Sequence, residues 1–173
     1  MQKAAFLDRD GVINRKAPGN GYITTWEDME ILPGVPASIA KLNEAGFRVI
    51  VVSNQRCVAK GLITTANLES LHDRMKLYLA ESNARIDAIY YCPHENFPAC
   101  RCRKPQPGML LDAARDHDID LASSWMIGDS AADIEAGKRA GCQTVLLTSG
   151  ATDLEADLTG TSLADVVERI MKQ

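Results

Sequence analysis

The sequence predicts an α/β fold, a three-layer sandwich with one central parallel sheet. Three observations carry this. Short apolar runs rich in β-branched or aromatic residues recur along the chain, and stretches with helical periodicity separate most of them. The 173 residues suit one domain, 1–173, around one core. Strands alternating with helices pair parallel through crossovers, so both faces of the sheet are covered.

Taken in order, strands are expected at 4–7, 47–52, 88–91, 125–127 and 144–147. Helices are expected at 36–45, closed by Gly46, then at 65–81, 107–117, 131–140 and 163–172. In the second of these, Leu68, Leu71, Met75 and Leu79 fall near one face. Two loops, 14–33 and 93–105, are long for this architecture, and such loops often carry function. The stretch 153–161 reads as plain polar surface.

A formal net charge of -4 leaves no broad basic surface, which argues against nucleic acid as a partner. No apolar run approaches the ~20 residues of a membrane helix. The N-terminus reaches the charged Asp8-Arg9-Asp10 too soon to hold a signal-peptide core. The expectation is a cytoplasmic protein with no membrane partner, and a monomer by default. Its five cysteines are then metal ligands or free thiols.

The chemistry is expected at the strand ends. The first strand runs into Asp8-Arg9-Asp10-Gly11, and ligands of an open parallel sheet bind beyond the carboxyl ends of its strands. Two carboxylates at one site repel unless a proton or cation intervenes, and Mg²⁺, with its preference for oxygen and for phosphate, fits. The second strand ends in Ser53-Asn54-Gln55, the fourth in Gly128-Asp129-Ser130 with Asp133 following, and Arg103-Lys104-Pro105 stands before a helix. Singly these are a cap, an acidic first turn and a surface basic pair; together, each at or beside a strand end, they form a site.

In this combination the sequence resembles the haloacid dehalogenase superfamily of phosphotransferases. Asp8-Arg9-Asp10-Gly11-Val12, Ser53, Lys104 and Gly128-Asp129-Ser130 with Asp133 match its four motifs. The resemblance implies a Rossmann-like fold and a Mg²⁺-dependent phosphatase. Asp8 would be the nucleophile and Asp10 the general acid and base. Ser53 and Lys104 would stabilise the phosphoryl oxygens, and Asp8, the Asp10 backbone carbonyl and Asp129 would hold Mg²⁺. Asp133 would support the site from behind.

Cys92-Pro93-His94 and Cys100-Arg101-Cys102 form two close pairs joined by five residues. Three thiolates and an imidazole make a closed tetrahedral set, so Cys92, His94, Cys100 and Cys102 are expected to bind a structural Zn²⁺. That ion would fix the loop delivering Arg103 and Lys104. Cys57 and Cys142 are assigned no chemistry, and His72 and His117 are read as packing or surface.

The same cluster resembles the zinc-bearing subgroup whose members act on heptose bisphosphates and on histidinol phosphate. Only 42 residues separate Asp10 from Ser53, and 50 separate Ser53 from Lys104, which leaves no room for a large cap domain. Loops must select a small phosphorylated sugar. By resemblance, Gly19, Asn20, Gly21, Tyr22, Ser53, Asn54, Gln55, Arg56, Arg103 and Lys104 would touch it. Gly21-Tyr22 and Asn54-Gln55 favour removal of the C7 phosphate of a heptose 1,7-bisphosphate. Arg56-Cys57, Lys60 and the short zinc loop depart from that pattern, the last toward histidinol phosphate. A zinc-stabilised binding module is the non-enzyme alternative.

Overall fold

The computed structural model describes residues 1–172. Six strands form one all-parallel sheet in the order β3-β2-β1-β4-β5-β6. They are β1 (Ala4–Leu7), β2 (Arg48–Asn54), β3 (Ala88–Cys92), β4 (Trp125–Gly128), β5 (Gln143–Leu147) and β6 (Leu158–Gly160). The helices are α1 (Val35–Glu44), α2 (Thr65–Ala80), α3 (Gly108–His117), α4 (Ala131–Ala140) and α5 (Leu163–Ile170), with a short 3₁₀ turn at Leu121–Ser123. The five expected strands and five expected helices are all present, with ends shifted by no more than two residues.

Alternation along the strands sorts the core into two layers. Ala5, Leu7, Val49, Val51 and Ile127 face α1, α2 and α5 through Val35, Ile39, Met75, Leu79, Val166 and Ile170. Ala4, Phe6, Ile50, Val52 and Met126 face α3 and α4 through Met109, Leu110 and Ala136. β1 lies in the middle, all four of its residues buried. Among the described residues no helix is long and apolar enough to cross a membrane.

The stretch 153–161 is not plain surface, because it contains β6. Leu158 pairs with Val145 of β5. The Asp157 carboxylate accepts from the Thr144 backbone (2.7 Å) and hydroxyl (2.8 Å), which anchors the edge strand. A three-residue strand with one apolar side chain gives no periodic signal.

Candidate active site

The order β3-β2-β1-β4-β5-β6 places the switch in winding between β1 and β4, where an open α/β sheet has its crevice. Asp8 follows β1 and Asp129 follows β4, on the two sides of that crevice. Gly11 lets the chain turn back at once. Its φ is 95°, in the left-handed region, and a Cβ there would overlap the Asp129 carboxylate.

Lys104 enters beneath these carboxylates. Its ammonium is buried and sits 2.9 Å from Asp8 Oδ1, 2.6 Å from Asp133 Oδ1 and 2.7 Å from the Val52 carbonyl. Two features aim it. The Asn54 side chain donates to the Lys104 carbonyl (3.0 Å) and accepts from its backbone N–H (3.0 Å), extending β2 sideways like one more strand rung. Asp133 Oδ2 accepts from the backbone N–H of Asp129 (3.2 Å) and Ser130 (3.1 Å) and from the Ser130 hydroxyl (2.5 Å), starting α4. A Cβ on Gly128 would overlap Asp133, so glycine makes room for that capping carboxylate.

Burial lifts the Asp8 carboxyl to about 7, opposed by Lys104 and assisted by Asp133 and Asp10. Burial also raises Asp129, against the pull of Lys16, whose ammonium lies 2.7 Å from Asp129 Oδ2. Burial alone would lower Lys104, but Asp8 and Asp133 outweigh it and raise it.

Asp10 turns the other way. Arg9, fully buried, holds both its oxygens (2.9 and 3.0 Å), and Asn14 (2.9 Å) and Gln55 (3.0 Å) add two more donors. Burial works to raise the Asp10 carboxyl, but Arg9 and these hydrogen bonds outweigh it and hold it low. Gln55 also donates to Ser53 Oγ (2.7 Å), which lies buried at the end of β2.

Asp8, Asp10, Lys16, Asn54, Lys104, Asp129 and Asp133 line a cleft of about 180 Å³. It adjoins a roomier cavity of about 420 Å³ lined by Asn54, Asn96, Arg103, Lys104 and Gln106, floored by the cysteine loop. Neither lining includes Gly19, Asn20, Gly21, Tyr22, Gln55 or Arg56. Tyr22 packs near Cys57 and Leu68 with Lys60 over its ring (5.3 Å), and Arg56 pairs with Glu95 (2.5 Å). A further groove, about 650 Å³, lies away from the carboxylates beside Leu77, Ala80 and Ile86.

Sequence reasoning missed Lys16, Arg9 and Asn14. The first sits in a loop whose path no local pattern fixes. Arg9 lies between the two aspartates and Asn14 four residues beyond Asp10, and neither is assigned a role from the sequence. The available signal was that a residue between two site-facing aspartates must itself point the opposite way.

Both donor sets fit the ions expected of them. Of the expected Mg²⁺ ligands, Asp8 and Asp129 each offer an oxygen within 4.8 Å of the other and of Asp133, whose own oxygens are taken by Lys104 and the α4 cap, and Asp129 Oδ1 is buried without a hydrogen-bond partner. A buried carboxylate oxygen left bare is costly, and an all-oxygen set suits a hard dication. In the second set, the separations are 3.2 Å for Cys102 to Cys92 Sγ, 3.4 Å to Cys100 Sγ and 3.2 Å to His94 Nδ1; Cys92 Sγ lies 3.5 Å from Cys100 Sγ and from His94 Nδ1. A tetrahedron with Zn–S bonds of ~2.3 Å has edges of roughly 3.7 Å, so the four atoms stand close to a zinc cage. Hydrogen bonds from Cys102 and the Arg103 backbone outweigh burial and pull the Cys100 thiol down to about 6. The loop is tied to α3 by Arg101, which grips Asp112 with two bonds (2.9 and 2.7 Å).

A family described as "HAD-hyrolase-like" matches residues 101–170. The D-glycero-beta-D-manno-heptose-1,7-bisphosphate 7-phosphatase of Escherichia coli K12 is 40% identical, covering 98% of this chain and 94% of that one. Its namesake from Bordetella bronchiseptica is 40% identical over 86% of this chain and 82% of its own. The crystal structure of a B. bronchiseptica D,D-heptose 1,7-bisphosphate phosphatase with magnesium and phosphate superposes with a TM-score of 0.90 at 37% identity, covering 98% of both chains. By fold and by these relatives the chain belongs to the haloacid dehalogenase-like hydrolases, in the family of the heptose-bisphosphate phosphatases.

Proposed function

We propose that the protein is a single-domain, Mg²⁺-dependent phosphatase that removes the C7 phosphate of D-glycero-D-manno-heptose 1,7-bisphosphate, through an aspartyl phosphate on Asp8. The reading takes it as a cytoplasmic monomer supplying nucleotide-activated heptose. The observation that carries it is the small acidic cleft holding Asp8, Lys104 and Asp129 beside a larger polar cavity, in a chain whose relatives bear that substrate in their names.

Asp8 Oδ1 is held by Lys104 and by the Arg9 backbone N–H (2.8 Å), so Oδ2 is the oxygen left to attack phosphorus in line. The new Oδ2–P bond forms as the P–O7 bond breaks, and Asp10 gives its proton to the departing sugar alkoxide. Asp10 then takes a proton from the water that cleaves the acyl phosphate, freeing phosphate and restoring Asp8. Its resting partners hold it ionised, ready for that second half; the negative charge of a bound phosphate favours loading it with a proton for the first. Gln55 donates to Ser53 Oγ, so the Ser53 hydroxyl proton stays free for a phosphoryl oxygen. Lys104 faces the same developing charge. Asp8, Asp129 and the Asp10 carbonyl would hold Mg²⁺, which supplies charge against the repulsion between the carboxylate and phosphate. Cys92, His94, Cys100 and Cys102 would hold Zn²⁺ as a closed structural site.

Arg103 and Asn54 line the larger cavity and would receive the sugar and its distal phosphate. Gly19, Asn20, Gly21, Tyr22, Gln55 and Arg56 would act from the rim and from beneath. The short zinc loop favours a second reading, histidinol phosphate. Phosphate release from both anomers of the heptose bisphosphate and from histidinol phosphate, each with Mg²⁺, decides. A large kcat/KM advantage for one heptose anomer is expected, and a preference for histidinol phosphate overturns the assignment.

A further inference from the structure

His72 lies on α2, on no strand end and in neither cleft lining, yet it is nearly fully buried and reaches the acid–base group through one intermediary. Its Nε2 stands 3.1 Å from Arg9 Nη1. A guanidinium can only donate, so Nε2 must accept, and the ring proton sits on Nδ1. The imidazole is therefore neutral. Burial, with Arg9 beside it, pushes its pKa down to about 3. The ring stacks edge-on against Tyr91 of β3, centroids 5.7 Å apart, which fixes its tilt.

Arg9 has five donors to place in a site without water access. Nε and Nη2 go to Asp10, and Nη2 also approaches the Ile23 carbonyl (3.5 Å). Nη1 has His72 as its partner. Without that acceptor, a buried cationic N–H is left bare, and the planar fork gains a reason to rotate toward another acceptor. Any such rotation moves Asp10, because the same plane carries Nε and Nη2, which hold its carboxylate.

We propose that His72 is a positioning residue for the hydrolysis: it supplies the neutral acceptor that locks the Arg9 fork and thereby aims Asp10. This rests on the reading of Asp10 as the acid and base. It predicts a defect specific to proton delivery. An alkyl ester needs its leaving oxygen protonated, whereas p-nitrophenolate leaves unaided.

The test compares kcat and KM of the wild type, His72→Leu, His72→Gln and Asp10→Asn on the heptose bisphosphate and on p-nitrophenyl phosphate, with Mg²⁺. Because the base role of Asp10 in the second half is common to both substrates, the difference is read in kcat/KM, which reports the leaving-group step: His72→Leu should lose about 10²-fold on the sugar and less than about 5-fold on the aryl ester. His72→Gln, which keeps an acceptor, should recover most of the loss. Equal losses on both substrates, or a glutamine variant as poor as leucine, would make His72 a packing residue and overturn the proposal. Asp10→Asn lacking the bias against the sugar overturns the underlying reading instead. If the leucine variant does not fold, His72→Met makes the same comparison.

Discussion

Asn54 lines both the cleft of the carboxylate cluster and the cavity over the cysteine loop, and the two clusters are held in place differently. Around Asp8 the protein supplies the counter-charges itself. Lys104 bridges Asp8 and Asp133, Lys16 pairs with Asp129, and backbone N–H groups cap Asp133. Around Cys100 the chain supplies ligand atoms and the Arg101–Asp112 tie to α3, with the loop after β3 in no regular element. The fold closes one site with its own charges, and the other would be closed by the proposed Zn²⁺. The two share a mechanical link, because Asn54 pairs in register with Cys92 and bonds the Lys104 backbone.

Five measurements break or sharpen this contrast. Asp8→Asn should cut phosphate release by on the order of 10⁴-fold or more while leaving the thermal midpoint within a few degrees, since the rest of the cluster stays paired. Turnover by that variant would end the covalent mechanism. Lys104→Met should abolish activity and also cost ~3–5 kcal/mol in urea unfolding, because it strands two buried carboxylates. An unchanged midpoint would mean that the cluster is not self-supporting. Cys100→Ala should lose zinc by elemental analysis, unfold more easily and lose roughly 10–100-fold in activity without touching substrate. Full zinc content would refute the ligand set, and rescue by excess Mg²⁺ would uncouple the clusters.

The fourth concerns pH. The unfolded chain protonates His72 near its ordinary 6.5, whereas the folded chain resists until about 3. The unfolded state thus binds the extra proton in that window, and stability falls as pH drops from 6.5 toward 3, by up to ~1.4 kcal/mol per unit from this group. His72→Gln should flatten that part of the curve, and an unchanged slope would show that other groups set it. The smallest effect is expected from Asp157→Ala, at ~1 kcal/mol with unaltered kcat/KM, because it frees the β6 edge far from either cluster. Altered kinetics there would show that the far edge of the sheet is not independent of the site.

The ends of β1 and α4 were legible to the residue, since an apolar run stopping at Asp8 and a Ser130-to-Asp133 box stopping at Gly141 are local signals. The acid pair and the cysteine pairs were legible from their spacing, whereas Lys104, a surface basic residue when read alone, was marked by the family resemblance. What stayed hidden depends on tertiary partners. β6 is fixed by Asp157 reaching Thr144, and Lys16 by where a long loop lies. Arg9 and His72 are 63 residues apart, and neither flanking sequence marks the other. His72 was read as packing or surface, and it is buried, but nothing around it in the chain says that it meets a guanidinium.

The strand order also fixes when the protein becomes an enzyme during its own synthesis. β1, β2 and β3 leave the ribosome together with Asp8, Ser53, the cysteine loop and Lys104, and they can pair as half a sheet. One side of β1 stays open until β4 arrives, and Asp129 comes with it. The nascent half therefore holds the Asp8 carboxylate and the Lys104 ammonium yet presents a bare, apolar strand edge at what becomes the centre of the molecule. A pause in translation after Lys104 has cleared the ribosome and before β4 has done so would prolong that exposure. Demand for a chaperone should be concentrated there, and the last strand to reach β1 both seals the edge and completes the acid cluster.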